Sequence, residues 1–519
     1  MEIRAVGIVG LGTMGAGIAE VFARGGIGVT AVEADPQALA RGLDTLNGSL
    51  ARAVSKGRLT DDERAQIAAR VRAASKLADL ADCDLVIEVV PEQLAIKRQV
   101  LAELDQACRP DAIIATNTSS LSVTTIAAGS AYPGRVLGMH FFNPAPVMRL
   151  VEVVTTVLTE PGAGEAVSAL ARQLGKTPVQ VSDRAGFVAN ALLLPYLNHA
   201  VRLLETGHAS REDIDAAMTS AAGLPMGPLA LLDLIGLDTS CAILEVLQRE
   251  FGGTRYLPAP ALRRLTDAGR LGRKTGAGFY DYSACRSASS SSSSGSEKAD
   301  HPRAPGTVTL IDPGGSVGAD AAEPVGPGSE LAAELASLLG AAGINVTRSP
   351  VHKTDLAIVA IGPEGGVLGP AMAAGRGADA VGFHLATPRL AELVPSPLTS
   401  DEALRAAQAL AGKLGLHTVR SADRPGLLVG GLLYPHLRDA VAMVADGYAT
   451  PADVDAAMML GCGYPRGPIR MLADAGLARV ADVLAAMHAA YGESQFAPPP
   501  LLVTCARAGL ALTSAVTGR

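Results

Sequence analysis

The chain has no tryptophan, eight phenylalanines and nine tyrosines among its 519 residues. So few aromatics argue against stacking platforms for single-stranded nucleic acid. A formal net charge of −7 likewise disfavours a phosphate-backbone partner. No apolar run approaches the length needed to span a bilayer, so no membrane partner is expected. Met1-Glu2-Ile3-Arg4 runs straight into a strand pattern and leaves no room for a signal peptide. The six cysteines (Cys83, Cys108, Cys241, Cys285, Cys462 and Cys505) show neither C-x-x-C nor zinc-ligand spacing. Reduced thiols in a cytoplasm, with no metal site, are the simplest reading. The length exceeds what one core can organise and suggests about three or four domains.

What is present begins at the amino terminus. Residues 3–9 form an apolar run of strand length, followed by Gly10-Leu11-Gly12-Thr13-Met14-Gly15, a helical pattern over Ala16–Arg24, and a second strand, Gly28–Val32, closed by Glu33. In G-x-G-x-x-G the first glycine makes the tight turn, the second lets backbone approach a pyrophosphate, and the third lets helix pack on strand. The helix N-terminus then offers unpaired N–H groups to the phosphates. The glycine pattern alone is weak. Strand, turn, helix, strand and acid in the required order make it strong. Glu33 suits adenosine ribose hydroxyls and repels a 2′-phosphate, which favours NAD over NADP.

From Asn47 to Val71 the pattern is helical, with Ser49, Arg52, Lys56 and Arg58 on its polar side, where most such charges simply solvate a helix face. Strand signals return at Asp84–Val90, followed by Glu92 and a helix carrying Lys97, then at Ala112–Thr116, followed by Asn117-Thr118-Ser119-Ser120. Alternation of this kind predicts a parallel sheet wrapped by helices, with ligands at the C-terminal strand ends. Glu92, Asn117, Ser119 and His140 are therefore expected at one edge.

His140 stands in Gly138-Met139-His140-Phe141-Phe142-Asn143-Pro144, and Glu152 in the β-branched segment Arg149–Val154. Taken alone, a histidine in an apolar run is more often a hydrogen-bonded core residue, and a strand glutamate more often faces water. Period-2 alternation, however, puts Leu150, Glu152 and Val154 on one face, and a carboxylate between apolar neighbours is costly to bury unless something pairs with it. An imidazole is the obvious partner, and the two together are the material of a general base and its orienter.

Past Thr156 the texture becomes helical, at Gly162–Leu174, Asn190–Glu205, Arg211–Ala221 and Pro228–Glu250, and ends at Gly272–Tyr282. A serine tract, Ser287–Ser296, reads as a flexible linker. Beyond it the chain repeats itself. Asp183-Arg184-Ala185-Gly186-Phe187 returns as Asp423-Arg424-Pro425-Gly426-Leu427, Asp213–Met218 as Asp453–Met458, and Gly223–Pro228 as Gly463–Pro468. Gly382-Phe383-His384 and Arg389–Glu392 echo the histidine segment, and Asp355–Ile358 echoes Asp84–Ile87. The copy looks chemically blunted. Thr307–Ile311 leads into Pro313-Gly314-Gly315 without the glycine pattern, Thr387 stands for Asn143, Gly430 for Asn190, and nothing replaces Lys274. His384 and Glu392 survive as residue types.

Gly10–Gly15, Asn117–Ser120, His140–Pro144, Arg149–Val154, Asp183–Asn190 and Gly272–Tyr282 together resemble the 3-hydroxyacyl-CoA dehydrogenases, over residues 1–282. The second half resembles the degenerate extra segment of the long bacterial 3-hydroxybutyryl-CoA and 3-hydroxyadipyl-CoA dehydrogenases. No hydratase-like segment precedes residue 1, so the fused multifunctional fatty-oxidation enzyme is not expected. The resemblance implies an α/β fold: a Rossmann-type NAD-binding domain (1–182), a helical domain (183–282), the linker (283–306), then a degenerate Rossmann-like domain (307–418) and a second helical domain (419–519). It implies NAD-dependent oxidation of an (S)-3-hydroxyacyl-CoA, with His140 as base, Glu152 as its partner, and Ser119 and Asn190 near the reacting oxygen. Gly10, Leu11, Gly12, Thr13, Met14, Gly15, Glu33, Glu92, Lys97, Asn117, Ser119, Asn143 and Lys274 would line the NAD site, and Ser49 and Lys56 would meet the CoA moiety. A homodimer is implied, or a monomer whose second half replaces the partner. Two alternatives stand beside this reading. One is a dehydrogenase of free 3-hydroxy acids, which depends on a catalytic lysine; the other is an NAD-binding structural or regulatory protein without turnover.

Overall fold

The glycine turn opens a β-α-β unit, as its spacing requires: β1 (Ala5–Val9), α1 (Thr13–Arg24) and β2 (Gly28–Val32), with β2 parallel to β1. The computed structural model describes residues 3–283, 304–313, 327–347, 356–363 and 365–516. The serine tract, Gly314, Gly315 and Asp355 lie outside the described residues. After β2 come α2 (Pro36–Ser55), α3 (Asp61–Ala69), β3 (Val71–Ala74), β4 (Leu85–Glu88), α4 (Leu94–Ala107), β5 (Ile113–Thr116), α5 (Val123–Ala127), β6 (Val136–Phe141), β7 (Leu150–Thr155), α6 (Ala163–Gln173) and β8 (Thr177–Ser182). The eight strands form one sheet in the order β3-β2-β1-β4-β5-β6-β7-β8.

Two expectations need correction here. The sheet is not wholly parallel, because β6 and β7 are joined by a turn rather than a crossover helix and so run antiparallel. Nor is Asn47–Val71 one helix. Asp35 caps α2 ahead of Pro36, Gly57 turns left-handed (φ +65°), Thr60 and Glu63 form a capping box that starts α3, and Val71 begins a strand.

The helical part of the first half comprises α7 (Ala189–Glu205), α8 (Arg211–Ala221), α9 (Pro228–Ile235), α10 (Leu237–Phe251) and α11 (Pro260–Asp267). The single helix expected over Pro228–Glu250 is two, because Gly236 adopts φ +105° between them. The second half supplies β9 (Thr307–Ile311), α12 (Pro327–Ala341), β10 (Asn345–Thr347), β11 (Ala357–Ala360), α13 (Leu368–Ala373), β12 (Ala380–Thr387), β13 (Leu390–Pro395), α14 (Asp401–Lys413) and β14 (His417–Arg420). It closes with α15 (Val429–Ala445), α16 (Pro451–Cys462), α17 (Pro468–Ala475), α18 (Leu477–Tyr491), α19 (Pro500–Ala508) and α20 (Leu512–Val516). Its sheet, β10-β9-β11-β12-β13-β14, has β12 and β13 antiparallel. Among the described residues it lacks counterparts of β3 and β5, so β12 pairs directly with β11.

The chain forms two compact units that cut across the boundaries read from the sequence. One comprises Met1–Leu192, Val246–Gly252 and Asp446–Gly467; the other comprises Leu193–Glu245, Gly253–Ala445 and Pro468–Arg519. Within the first unit, α16 of the second half packs on β7 and β8. Arg184 there lies over the rings of Phe251 and Tyr448, and Tyr448 donates to the Ser182 carbonyl at 2.9 Å. A Cβ on Gly461 would come within 2.5 Å of Leu150 Cδ2 and 3.2 Å of the Phe142 ring, so a side chain there would have to push Leu150 aside. Within the second unit, α8 of the first half packs on β13 and β14. The imidazole of His208 reaches the Leu427 carbonyl at 2.9 Å, and Tyr196 meets the His436 ring at 5.0 Å between centroids. Each half thus lends one helix to the sheet of the other.

Candidate active site

The glycine turn is shaped by what a side chain would strike. Gly10 adopts φ +94° with Val89 O 2.8 Å from where its Cβ would be, and a Cβ on Gly15 would collide with the Gly10 carbonyl oxygen. Gly12 faces open space and begins α1 without a side-chain cap. The first N–H groups of α1 are thus left for an anion. Half-buried Glu33 accepts from the Leu11 N–H at 3.1 Å and the Asp35 N–H at 3.3 Å, which holds its carboxylate at the end of β2 beside the turn. An open cradle with unpaired donors and a fixed acid fits a dinucleotide.

A buried network supports the loop after β5. Glu88 ends β4 at 3 % exposure; its carboxylate accepts from Lys97 Nζ at 2.9 Å, Thr116 Oγ1 at 2.7 Å and the Val90 N–H at 2.7 Å. The same ammonium lies 3.3 Å from Glu92 Oε2. Glu92 Oε1 in turn accepts from Thr118 Oγ1, Ser120 Oγ and the N–H groups of Ser119 and Ser120. Burial opposes the Glu92 charge, but Lys97 and these donors hold its carboxyl below the usual range. Asn117 Oδ1 accepts from the Phe141 N–H at 2.8 Å and ties the ends of β5 and β6 together.

The antiparallel register pairs His140 on β6 with Glu152 on β7. His140 Nδ1 lies 2.7 Å from Glu152 Oε2, and the two residues are 6 % and 0 % exposed. Glu152 Oε1 accepts from the N–H groups of Val188 and Ala189, both at 3.0 Å, at the start of α7. Gly186 (φ +72°) and Phe187 (φ +47°) are both left-handed, which swings those N–H groups onto the carboxylate. A bulky residue at positive φ costs about 1 to 3 kcal/mol. The start of α7 thus supplies Glu152 with two backbone donors in a site closed to water. With Nδ1–H donated to it, Nε2 is the free basic nitrogen, and the rings of Phe142 and Phe187 flank the imidazole at 4.5 and 5.7 Å.

Asn190 Nδ2 reaches the Ser119 carbonyl at 3.4 Å, so Ser119, Asn190, His140 and Glu152 come together in the first unit with the glycine turn, Glu33, Glu92 and Asn117. Asn143 is exposed on the turn between β6 and β7. Lys97 is buried beneath the loop rather than open on its helix. Ser49 lies on α2, and exposed Lys56 closes that helix. Lys274 belongs to the second unit, where its ammonium meets Asp238 Oδ2 at 2.6 Å. Sequence reasoning missed Glu88, although a carboxylate in the apolar run of β4 is the same signal that drew attention to Glu152. It also missed the role of Asp183, which accepts from Ser122 Oγ and the N–H groups of Val123 and Thr124 to start α5.

Residues 5–184 match the family model for the 3-hydroxyacyl-CoA dehydrogenase NAD-binding domain, and residues 186–282 and 426–518 each match that for its C-terminal domain. The chain belongs to the 3-hydroxyacyl-CoA dehydrogenase family. The 3-hydroxyadipyl-CoA dehydrogenase of Escherichia coli strain K12 is 33 % identical over 512 residues, 97 % of each chain. The 3-hydroxybutyryl-CoA dehydrogenase of Mycobacterium tuberculosis is 47 % identical over 282 residues, covering 54 % of this chain and 99 % of that one. Among solved structures, an Escherichia coli K12 3-hydroxybutyryl-CoA dehydrogenase aligns over the full length of both chains with TM-score 0.78 and 31 % identity. This dehydrogenase therefore carries the family's NAD-binding Rossmann domain and helical domain, the latter twice. No helix among the described residues is long and apolar enough to cross a membrane.

Proposed function

We propose that the protein oxidises short (S)-3-hydroxyacyl-CoA thioesters to 3-oxoacyl-CoA in the cytoplasm, with His140 as general base. The observation that carries this is the buried 2.7 Å contact between His140 and Glu152, in the same compact unit as the glycine turn. His140 Nε2 takes the hydroxyl proton as the C3–H bond breaks. Glu152 fixes the tautomer through Nδ1–H and stabilises the imidazolium that forms. NAD, when bound, supplies the acceptor for the hydride. Gly10, Leu11, Gly12, Thr13, Met14 and Gly15 admit its pyrophosphate, and Glu33 takes the ribose hydroxyls. Glu92, Asn117 and Asn143 line the nicotinamide end, with Lys97 acting through Glu92. Ser119 and Asn190 hold the reacting oxygen, while Ser49 and Lys56 meet the CoA. The helices that the halves exchange support a monomer in which the second half stands for a partner subunit; light scattering reading the mass of one chain, not two, tests this.

Consumption of NADH with acetoacetyl-CoA, and none with free acetoacetate, is the expected result. Turnover of the free acid alone overturns the proposal, and loss of both reactions in a chain that binds NADH favours a binding protein. Comparing kcat/KM for butyryl-length and adipyl-length thioesters assigns the acyl group, since one methylene changes binding by only about 1 to 3 kcal/mol.

A further inference from the structure

The turn that carries Asn143 is held from behind by a lysine that the chemistry above does not use. Lys176, 8 % exposed, lies between α6 and β8 and donates to the carbonyl oxygens of Ala145 at 2.6 Å and Met148 at 2.7 Å. Charge-assisted bonds of this length are about twice as strong as neutral ones. Burial opposes the ammonium and pulls its pKa down to about 8, with Arg24 and Arg149 adding to the effect and Glu20 opposing it. On its other side the turn rests on α1, where a Cβ on Gly17 would lie 3.3 Å from both Ala145 Cβ and Pro146 Cδ. The turn is therefore gripped between Lys176 and the helix that grows out of the glycine turn.

The second half provides an internal comparison. Leu174-Gly175-Lys176 returns as Leu414-Gly415-Leu416, and the bond from Thr177 N–H to Arg149 O (2.7 Å) returns as His417 N–H to Arg389 O (2.9 Å). Eight residues separate His140 from Arg149, but four separate His384 from Arg389. β12 runs almost directly into β13, and no turn remains for a lysine to hold. Where the turn is lost, the ammonium is lost with it.

We propose that Lys176 is a positioning residue for nucleotide binding: it fixes the Asn143–Met148 turn against α1 and so sets where Asn143 stands beside the dinucleotide. This rests on the NAD-dependent reading above. The test is Lys176→Leu in the full chain, which installs the residue the copy already accommodates. NADH affinity, read from nucleotide fluorescence without any acyl substrate, should weaken about tenfold or more, since small misplacements of a positioning group cost one to two powers of ten. The KM for NAD should rise in step, while the KM for 3-hydroxybutyryl-CoA moves less than about twofold; general loosening would raise both together. Lys176→Arg, which keeps charged donors, should recover part of the loss. If Lys176→Leu does not fold, Lys176→Gln, which retains one amide donor, is measured in its place. Wild-type NADH affinity in either folded variant, or an equal rise in both KM values, overturns the proposal. Because NADH binding needs no thioester, a wrong substrate assignment would show as an inactive parent chain and leave the affinities readable.

Discussion

His140 and Glu152 share a register and a 2.7 Å hydrogen bond, whereas their counterparts His384 and Glu392 share the register without the bond. His384 Nδ1 turns to the Ile361 carbonyl at 2.9 Å. Among the described residues no strand stands between β11 and β12, so β12 lies against β11 and His384 meets the carbonyl that follows it. Glu392 keeps the N–H groups of Leu428 and Val429 but loses the imidazole. Burial then acts on each residue alone, pulling His384 down to about 4 and pushing Glu392 up to about 7. One pair of residue types gives a hydrogen-bonded dyad in one half and two separately buried groups in the other.

Glu152→Gln should lower kcat by roughly two to four powers of ten with the fold retained. The amide oxygen can still accept from Val188 and Ala189, but its NH2 then faces His140 Nδ1 and forces the ring proton onto Nε2, where the base is needed. Steady-state oxidation of 3-hydroxybutyryl-CoA measures it, and an unchanged kcat would refute the dyad.

Glu33→Ala should weaken NAD binding and narrow the preference for NAD over NADP, because the charge that repels a 2′-phosphate is gone. Competitive titration with both nucleotides reads this out. An unaltered preference removes Glu33 from the site.

Glu392→Gln should change how stability varies with pH. A glutamate whose folded pKa is about 7 holds a proton that the unfolded chain releases near 4.5, so its contribution is lost as pH rises between those values. His384 acts the opposite way: its folded form declines a proton that the unfolded chain takes near 6.5, so stability is lost as pH falls from 6.5 to 4. The amide leaves one of the two N–H donors of Leu428 and Val429 facing its NH2, so the variant should melt below the parent at pH 4, with the gap narrowing or reversing by pH 8. Calorimetry across that range decides it, and parallel curves would count against a buried neutral Glu392.

Lys97→Met should destabilise the protein by about 3 to 5 kcal/mol, since it leaves Glu88 buried without its cation. Urea titration of parent and variant reads the loss directly. A loss below about 1 kcal/mol would mean that the network matters little to stability.

Gly461→Val should crowd Leu150 and Phe142 and cost about 1 to 3 kcal/mol. Phe142 stacks 4.5 Å from His140, so kcat/KM should fall as well, although position 461 lies in the blunted half. Full activity in a destabilised variant would separate α16 from the site.

Much of this was legible in the sequence. The glycine turn, its flanking strands and the strand carrying Glu152 follow from local patterns, and those patterns dictate local structure. The split at Gly236 was missed because apolar periodicity continues through it and only the backbone angle reveals the break. Lys176 could not be read as a clamp, because a lone lysine after Leu-Gly resembles any solvated charge until its two carbonyl acceptors are known. Nor could the repeats disclose that α8 and α16 cross over. A repeat shows that two segments are alike, not which sheet each one covers.

That crossover has a consequence for descent. Once each duplicate shelters the other's strands, neither can change freely: a lesion in α16 is felt at Phe142, which packs beside His140. A chain cut between its two halves should therefore leave fragments that stay clasped together, each holding a helix against the other's sheet.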